Sequence, residues 1–560
     1  MGSHTMLVIL VLLWPLLLAA ALFTAWRPSA WRWAPSAPVP ALLAAFWPGG
    51  HWEAPWLLLG LRLGVDPLGA PLLLLAAVVW LLAALAARRA MAGDAHRDRF
   101  LALFLLTMAG NLGVFIALDA AGFYLAYALM TFAAYGLVIH DGRAVSRRAG
   151  RVYLVLAVLG EGLLVAGLLL MAAEFGNPDL RGLGPMLAGA AHKDWLVVLF
   201  LLGFGIKMGM VPLHLWLPLA HPCAPVPASA VLSGVIVKAG LMGWLRFLPL
   251  GQGVTDAVAP WVMAIGLFSA FFAVVVGLAQ ERAKTVLAYS TVSQMGLLTL
   301  LIGLGLALPE IQWTLAMGAV VLMALHHGLA KGALFLAMGA DARARFWLML
   351  WPAAALAGLP LTAGALGKKA LKDAVDMAPG VWAELLLPLL ALSSLATTLL
   401  MLRLLWLVRP PGGPWGAEHN GAVGEPARGR APVLGLVLIG VFLPWLWAGW
   451  QLPQAAVAAL GVTALWDSLW PALLGLGAGG AWWYWAPRRW QAVRLPEGDL
   501  AALLPAAPSL PQPPAWQPLL SDSGGGSRLV SRMASGFSQL AVAGALFLAL
   551  VLLMLLLLLR

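Results

Sequence analysis

The chain has 560 residues, 62% of them hydrophobic and only 10% charged, with a formal net charge of +11. This composition excludes an ordinary soluble domain and indicates an all-α polytopic membrane protein, because many apolar runs reach the ~20 residues that a spanning helix needs. No basic face is interleaved with aromatics, so the charge reads as basic loops at one membrane face rather than as a nucleic-acid surface.

The first six residues, MGSHTM, are compatible with an expression scar. The run Leu7 to Trp26 has neither a basic n-region nor an obvious small-residue cleavage site, and is expected to be a retained first helix. Apolar blocks follow at roughly 67–87, 100–118, 119–140, 151–173, 194–219, 227–248, 257–279, 284–307, 312–340, 346–370, 381–407, 432–450, 467–486 and 537–559. The loops between them alternate sharply in basic content. Arg88, Arg89, Arg97 and Arg99, then Arg143, Arg147, Arg148 and Arg151, then Arg282 and Lys284, Arg343 and Arg345, Arg409, Arg428 and Arg430, and Arg488, Arg489 and Arg494 fall on one side. By the positive-inside rule that side is cytoplasmic.

Arg27 and Arg32 belong on the same side, which requires one extra crossing between residues 36 and 58. The expected total is then about 14–16 transmembrane helices, sixteen if that crossing forms, with both termini on the outer face. Gly64–Gly69 reads as an outer turn in which Asp66 and Pro67 start the next helix. Residues 409–430 and 487–530, rich in Pro, Gly and Ser, read as cytoplasmic loops, and 526–540 as a short interfacial helix before the last span. The expected organisation is N-terminal helices and an outer turn (1–66), a core (67–410) and a C-terminal part (411–560). The single cysteine, Cys223, excludes an intrachain disulfide and a CxxC-type metal or iron–sulfur site, and no cofactor is expected in this chain.

Glu161, Lys207, Lys238, His326, His327, Lys331 and Lys368 all fall away from the ends of their apolar blocks. Leaving an ammonium near the bilayer centre costs at least ~2.5–3.5 kcal/mol, so such residues normally face a bundle interior or a wet cavity and mark an ion path. Snorkelling or a single polar contact is the plain structural alternative for each. It fails for Lys207 and Lys238, which lie roughly 15–20 Å along helices rising 1.5 Å per residue. Amines and imidazoles that exchange protons as neighbouring charges change suit a proton relay. His327 and Lys331, spaced i, i+4, share one helix face, and Glu161 is the one carboxylate at mid-depth.

Glycines at 203, 205 and 209 flank Lys207, with Pro212 close behind; Gly358, Pro360, Gly364 and Gly367 precede Lys368. Both sets predict interrupted helices of the kind that line cavities at transporter ion sites. Two such segments, each with a lysine, suggest an internal repeat. His214 and His221, in PLHLWLPLAHP, are expected to make structural hydrogen bonds, since no carboxylate or thiol cluster accompanies them to hold a metal.

KMGMVPLHLWLPLAHPCAPVPASAVLSGVIVKAG (207–240) resembles the signature of the antiporter-like subunits shared by respiratory complex I, membrane-bound hydrogenase and formate hydrogenlyase complexes, Mrp-type cation/proton antiporters and inorganic-carbon-uptake complexes. AKTVLAYSTVSQMG (283–296), HHGLAKGALFLAMG (326–339) and GLPLTAGALGKKAL (358–371) resemble further motifs of that family, and together they cover about residues 60 to 410. The resemblance implies two inverted five-helix units with broken helices seven and twelve and a central polar axis for protons. It makes Lys207 the helix-seven lysine, Lys238 the helix-eight lysine, His327 and Lys331 the helix-eleven relay and Lys368 the helix-twelve lysine, with Lys369 a weaker alternative. It also implies a multi-pass protein of a prokaryotic inner membrane.

Two departures matter. The family's helix-five glutamate, in a motif like FYxxWELMS, is replaced in FYLAYALMTFAAYG (123–136) by Ala128, and Glu161 is the expected substitute. The prolines within 487–535 exclude a long lateral helix there, so the chain resembles the shorter relatives more than the complex I end subunit. The leading functional reading is a proton-translocating subunit that moves protons beside other membrane subunits and a soluble redox partner; Na⁺ would need a separate path. One alternative is the membrane half of a CO2/bicarbonate uptake complex with a carbonic-anhydrase-like partner. Another is a non-transporting scaffold.

Overall fold

In a bilayer the backbone must satisfy its own hydrogen bonds, so apolar runs fold as helices and breaks are confined to glycine, proline and buried polar sites. The computed structural model describes residues 3–255, 257–410, 430–485 and Leu495. Helices α1 (Ser3–Ala21), α2 (Arg27–Trp33) and α3 (Val39–Ala45) precede an antiparallel hairpin, β1 (His51–Ala54) and β2 (Leu61–Gly64), paired from His51↔Gly64 to Ala54↔Leu61. Then come α4 (Gly69–Ala90), α5 (Arg97–Ile116), α6 (Ala120–Val138), α7 (Ala144–Phe175) and the short α8 (Leu183–Ala188). Helices α9 (Lys193–Met208) and α10 (Trp216–Cys223) are the halves of one interrupted crossing. Helix α11 (Val226–Val231), a π turn (Leu232–Ile236) and α12 (Val237–Phe247) form a continuous run. Helices α13 (Ala259–Leu278), α14 (Ala283–Ala307) and α15 (Glu310–Ala337) lead to a second interrupted crossing, α16 (Ala342–Ala357) and α17 (Ala363–Val375). Helices α18 (Val381–Leu407), α19 (Ala431–Gln451), α20 (Pro453–Ala458) and α21 (Val462–Trp485) complete the described part.

Among the described residues, eleven helices are long and apolar enough to cross a membrane, counting α11 to α12 as one. The chain is thus an all-α polytopic membrane protein. The run α11–α12, α14 and α15 are almost wholly buried and form the centre, whereas α13 and α18 turn residues such as Trp261, Phe268, Val275 and Leu392 outward.

The two ends of the bundle differ in charge. At one end Asp94 meets His140 at 3.0 Å, the Arg99 guanidinium donates to His140 O at 2.6 Å, and Asp341 pairs with Arg430 at 3.0 Å. At the other end the arginines are tied down. Arg246 forms a two-pronged pair with Asp66, both contacts at 2.7 Å, and Arg62 donates to Asn177 O. There the Arg181 guanidinium holds the Asp179 carboxyl below the ordinary carboxylate range. Asp66 also accepts from Gly69 N at 2.8 Å, which starts α4 as the turn chemistry predicts.

The extra crossing is present but displaced from the expected 36–58. It begins at Arg27, whose guanidinium pairs with Asp98 at the basic end, and Trp31 Nε1 donates to Asp98 at 2.7 Å. It is over by Phe46, and Trp47 lies against His4, ring centroids 6.5 Å apart, at the start of α1. Pro28, Pro35, Pro38 and Pro40 lack amide protons, so it is cut into α2, a 3₁₀ turn (Ala34–Ser36) and α3 instead of one helix. Apart from residues 409, 410, 430 and 495, the expected loops 409–430 and 487–530, the interfacial segment 526–540 and the last span 537–559, with Arg428, Arg488, Arg489 and Arg494, lie outside the described residues.

Candidate functional site

The two interrupted crossings break in the same way. Helix α9 ends on Gly209 (φ 73°), with Met210 N bonded to Gly205 O and Gly209 N to Ile206 O. Helix α16 ends on Gly358 (φ 84°), with Leu359 N bonded to Ala354 O and Gly358 N to Ala355 O. Each is a six-to-one plus five-to-two closure that needs a left-handed residue, which glycine adopts without a Cβ penalty. Helix α9 enters from the end opposite the basic loops, and α16 enters from the basic end beside Arg430. The two half-helices therefore point at the centre from opposite directions, as inverted repeats require.

Glu161, Lys207, Lys238, His326, His327, Lys331 and Lys368 are all buried, none more than 7% exposed. The Lys207 ammonium, two residues before the first break, lies over the rings of Tyr127 and Tyr153, both at 5.4 Å, and of Trp216 at 5.9 Å. These faces provide the quadrupole attraction that partly replaces water around a buried cation. Glu161, on α7, has Lys207 as its cationic neighbour and the Tyr124 and Thr131 hydroxyls as its polar ones, with no direct ion pair among the described residues. Tyr124 and Thr131 stand one turn to either side of Ala128 on α6. Glu161 thus faces the stretch of α6 that contains Ala128.

The centre of the row is in contact. Lys238 Nζ is 2.5 Å from His327 Nδ1 and donates to Ser233 O at 3.1 Å. Ser233 O is available because the π turn lies immediately before Lys238, and such turns recur at functional sites. One turn beyond His327, Lys331 donates to Leu287 O at 2.7 Å and to Ser290 Oγ. His326 points to the other side of α15, within electrostatic reach of Lys368 and Lys238. A narrow crevice lined by His326, Trp351, Pro352 and Leu436 opens beside it. Lys368 reaches back across the second break to donate to Ala357 O at 2.8 Å, at the carbonyl end of α16. A helix C-terminus favours a cation there. Lys369 is turned away, pairing with the half-exposed Asp373 at 2.5 Å.

His214 contacts the rings of Phe272 and Tyr289, and His221 stacks on Phe335 at 4.5 Å. Both lie off the row. The sequence reading passed over the polar face of α14, where Ser290, Thr291 and Gln294 are all buried and Thr291 bonds Ser233 at 2.7 Å. Ser290 and Thr291, spaced i, i+4 and i, i+3 from Gln294 in an apolar helix, were the available signal.

Close backbone approach holds the second break. A Cβ at Gly364 would collide with Ala355 O and stand 2.9 Å from the His326 ring. Gly364→Ala is therefore expected to push α17 off α16, with an overpacking cost of about 1–3 kcal/mol. The measurement is the melting temperature of the detergent-solubilised protein; an unchanged value would contradict this packing.

Residues 117–345 match a family model described as NADH:quinone oxidoreductase/Mrp antiporter, TM. Hydrogenase-4 component B of Escherichia coli (strain K12) is 36% identical over 262 residues, 44% of this chain and 38% of that protein. NADH-quinone oxidoreductase subunit N of Desulforudis audaxviator (strain MP104C) is 33% identical over 300 residues, 51% of this chain and 57% of that protein. The matches thus span 38% and 57% of these two curated relatives. The fold is shared with a chain of the Mrp complex from Dietzia sp. DQ12-45-1b, at TM-score 0.69 and 21% identity, covering 97% of this chain and 60% of that one. It is also shared with a chain of an archaeal membrane-bound sulfane sulfur reductase, at TM-score 0.63 and 20% identity, covering 83% and 99%.

Proposed function

We propose that this chain is a proton-translocating subunit of a multi-subunit complex in a prokaryotic inner membrane, a reading supported by the match of residues 117–345 to the model described as NADH:quinone oxidoreductase/Mrp antiporter, TM. The observation that carries this reading is the contact between Lys238 and His327, with Lys331 one turn away, in the most deeply buried part of the bundle. An ammonium 2.5 Å from an imidazole nitrogen has one proton to share between two bases, which is the elementary step of a relay.

Glu161 and Lys207 form the first station, with Tyr124 and Thr131 around the carboxylate. Between Lys207 and Lys238 the backbones of α9 and α12 meet at Gly240, where a Cβ would lie 2.8 Å from Phe204 O. Among the described residues no hydrogen bond joins Lys207 to Lys238, so this transfer goes through water. From Lys238 the proton passes to His327 and Lys331, and His326 hands it to Lys368 at the second break. The carbonyl end of α16 receives the charge at Lys368 without a carboxylate.

The test is proton flux in vesicles containing the native complex, driven by an imposed membrane potential and read with a pH-sensitive dye, with and without Na⁺. Flux that follows the potential and is indifferent to Na⁺ is expected; absence of flux would sink the reading. The partners that co-purify then distinguish the complex. Iron–sulfur or small antiporter subunits fit the relatives named above, and a zinc protein as the sole large partner would favour carbon uptake.

A further inference from the structure

His326 is 1% exposed, and neither of its ring nitrogens has a hydrogen-bond partner among the described residues. Burial in that state costs free energy unless water satisfies the ring. A Cβ added at Gly364 would stand 2.9 Å from Cε1, the ring atom between the two nitrogens. The nitrogen-bearing edge therefore stands where the crevice between α15, α16 and α19 meets the second break, with Lys368 within electrostatic reach.

A second polar group is released beside it. Pro444 lies within α19 and has no amide proton, so the carbonyl of Gly440, four residues earlier, loses the donor that a regular helix would supply. Gly440 lines the crevice and has no side chain to cover that carbonyl. Pro352 releases Leu348 O in the same way, but Leu348 is not one of the lining residues. The rest of the lining is alanine, leucine, valine, proline and the indole of Trp351, and the space between these groups suits about one water molecule.

We infer that a water molecule in this crevice joins His326 to Gly440 O, and that α19 thereby positions the proton on the imidazole. The positioning role rests on the proton-relay reading above; the water site does not. A carbonyl can only accept, so the water gives it one hydrogen. The other hydrogen and the lone pairs of the water turn toward the ring. The water donates to a crevice-side nitrogen that lacks a proton and accepts from one that carries it. When Lys368 is an ammonium, the nitrogen facing it must be bare and the crevice-side nitrogen protonated. When Lys368 is an amine ready to take a proton, the reverse holds. A protein carbonyl in direct contact with the ring would serve the first state alone, whereas a turning water serves both. His326 can then change tautomer without leaving the crevice-side nitrogen unpaired. The water is neutral before and after, and no proton leaves through the crevice.

The experiment uses the full chain labelled with ¹⁵N-histidine in lipid nanodiscs. Magnetisation transfer from water protons to the ring is measured, and the ¹⁵N shifts report the tautomer. The His326 signals, among those of ten histidines, are the ones lost in His326→Gln. Water transfer to His326 and both tautomers are expected in the wild type. Pro444→Ala returns an amide to Gly440 O, and Gly440→Ala adds a methyl at an ordinary 3.5 Å from Leu329. Each is expected to abolish the water transfer, leave one tautomer, and lower flux in vesicles of the native complex roughly tenfold. No water transfer in the wild type, or transfer that persists in either variant, overturns the site. Loss of the water with wild-type flux, while His326→Gln stops flux, overturns the positioning role and leaves the relay standing. If His326→Gln itself leaves flux intact, the relay reading fails at His326 and the positioning role with it, while the water signal still decides the site. Should Pro444→Ala not accumulate, Gly440→Ala is read by the same outcomes.

Discussion

Replacing Lys238 by alanine is expected to lower proton flux by roughly a hundredfold or more, the scale on which a positioned proton-transfer group acts. The fold should survive, because α12 is held on α9 through Gly240 and Gly243, whose added Cβ atoms would strike Phe204 and Met208. The sharper variant is Lys238→Arg. A guanidinium keeps the positive charge near His327 but does not give up its proton in a protein. Arginine should therefore be as inactive as alanine if exchange is the function. Wild-type flux with arginine would show that Lys238 supplies only a fixed charge. Both variants are read by the same vesicle assay, beside the amount of chain in the membrane.

Glu161→Gln is the second large effect, expected to reduce flux at least roughly tenfold. Glutamine preserves the shape against Tyr124 and Thr131 and removes the charge that acts on Lys207. Because Glu161 faces the stretch of α6 that contains Ala128, its position can be tested apart from its origin in the sequence. Ala128→Glu in a Glu161→Ala background is expected to restore a large part of the flux, since either helix can deliver a carboxylate to that region. Failure of the double variant to exceed Glu161→Ala, at equal membrane levels, would mean that the carboxylate must come from α7. Full activity of Glu161→Gln would remove Glu161 from the relay.

Much of this was legible in the sequence, for identifiable reasons. A lysine in the middle of an apolar run is costly enough to announce itself, and glycine and proline on either side of Lys207 and before Lys368 mark where a helix has to break. The boundaries of α13, α14 and α18 lie within two residues of the apolar blocks because nothing interrupts them. Three things were hidden. The crossing at Arg27 to Phe46 was obscured by prolines that divide it into pieces too short to register as a span. Lys284 looked like one more interfacial charge, and only the bond to Ala224 shows that it turns inward. That Glu161 faces the stretch of α6 around Ala128 depends on how α7 is rotated against α6, which no local pattern encodes.

The π turn at Leu232–Ile236 sets a phase condition on the helix that contains it. Within the turn, Gly234 lies against Gly328 of α15, where an added Cβ would approach Gly328 O to 3.2 Å. Downstream, Lys238 must meet His327 on the same helix, and Arg246 must still reach Asp66 near the far end. An α-helix turns each residue by about 100°, so a uniform helix fixes all three azimuths once any one is chosen. The wider turn inserts an offset between the first and the other two. Deleting one residue from this stretch would restore a regular helix and shift its two halves by about that angle relative to each other. The helix could then keep its seat on α15 or its alignment with His327 and Asp66, but not both.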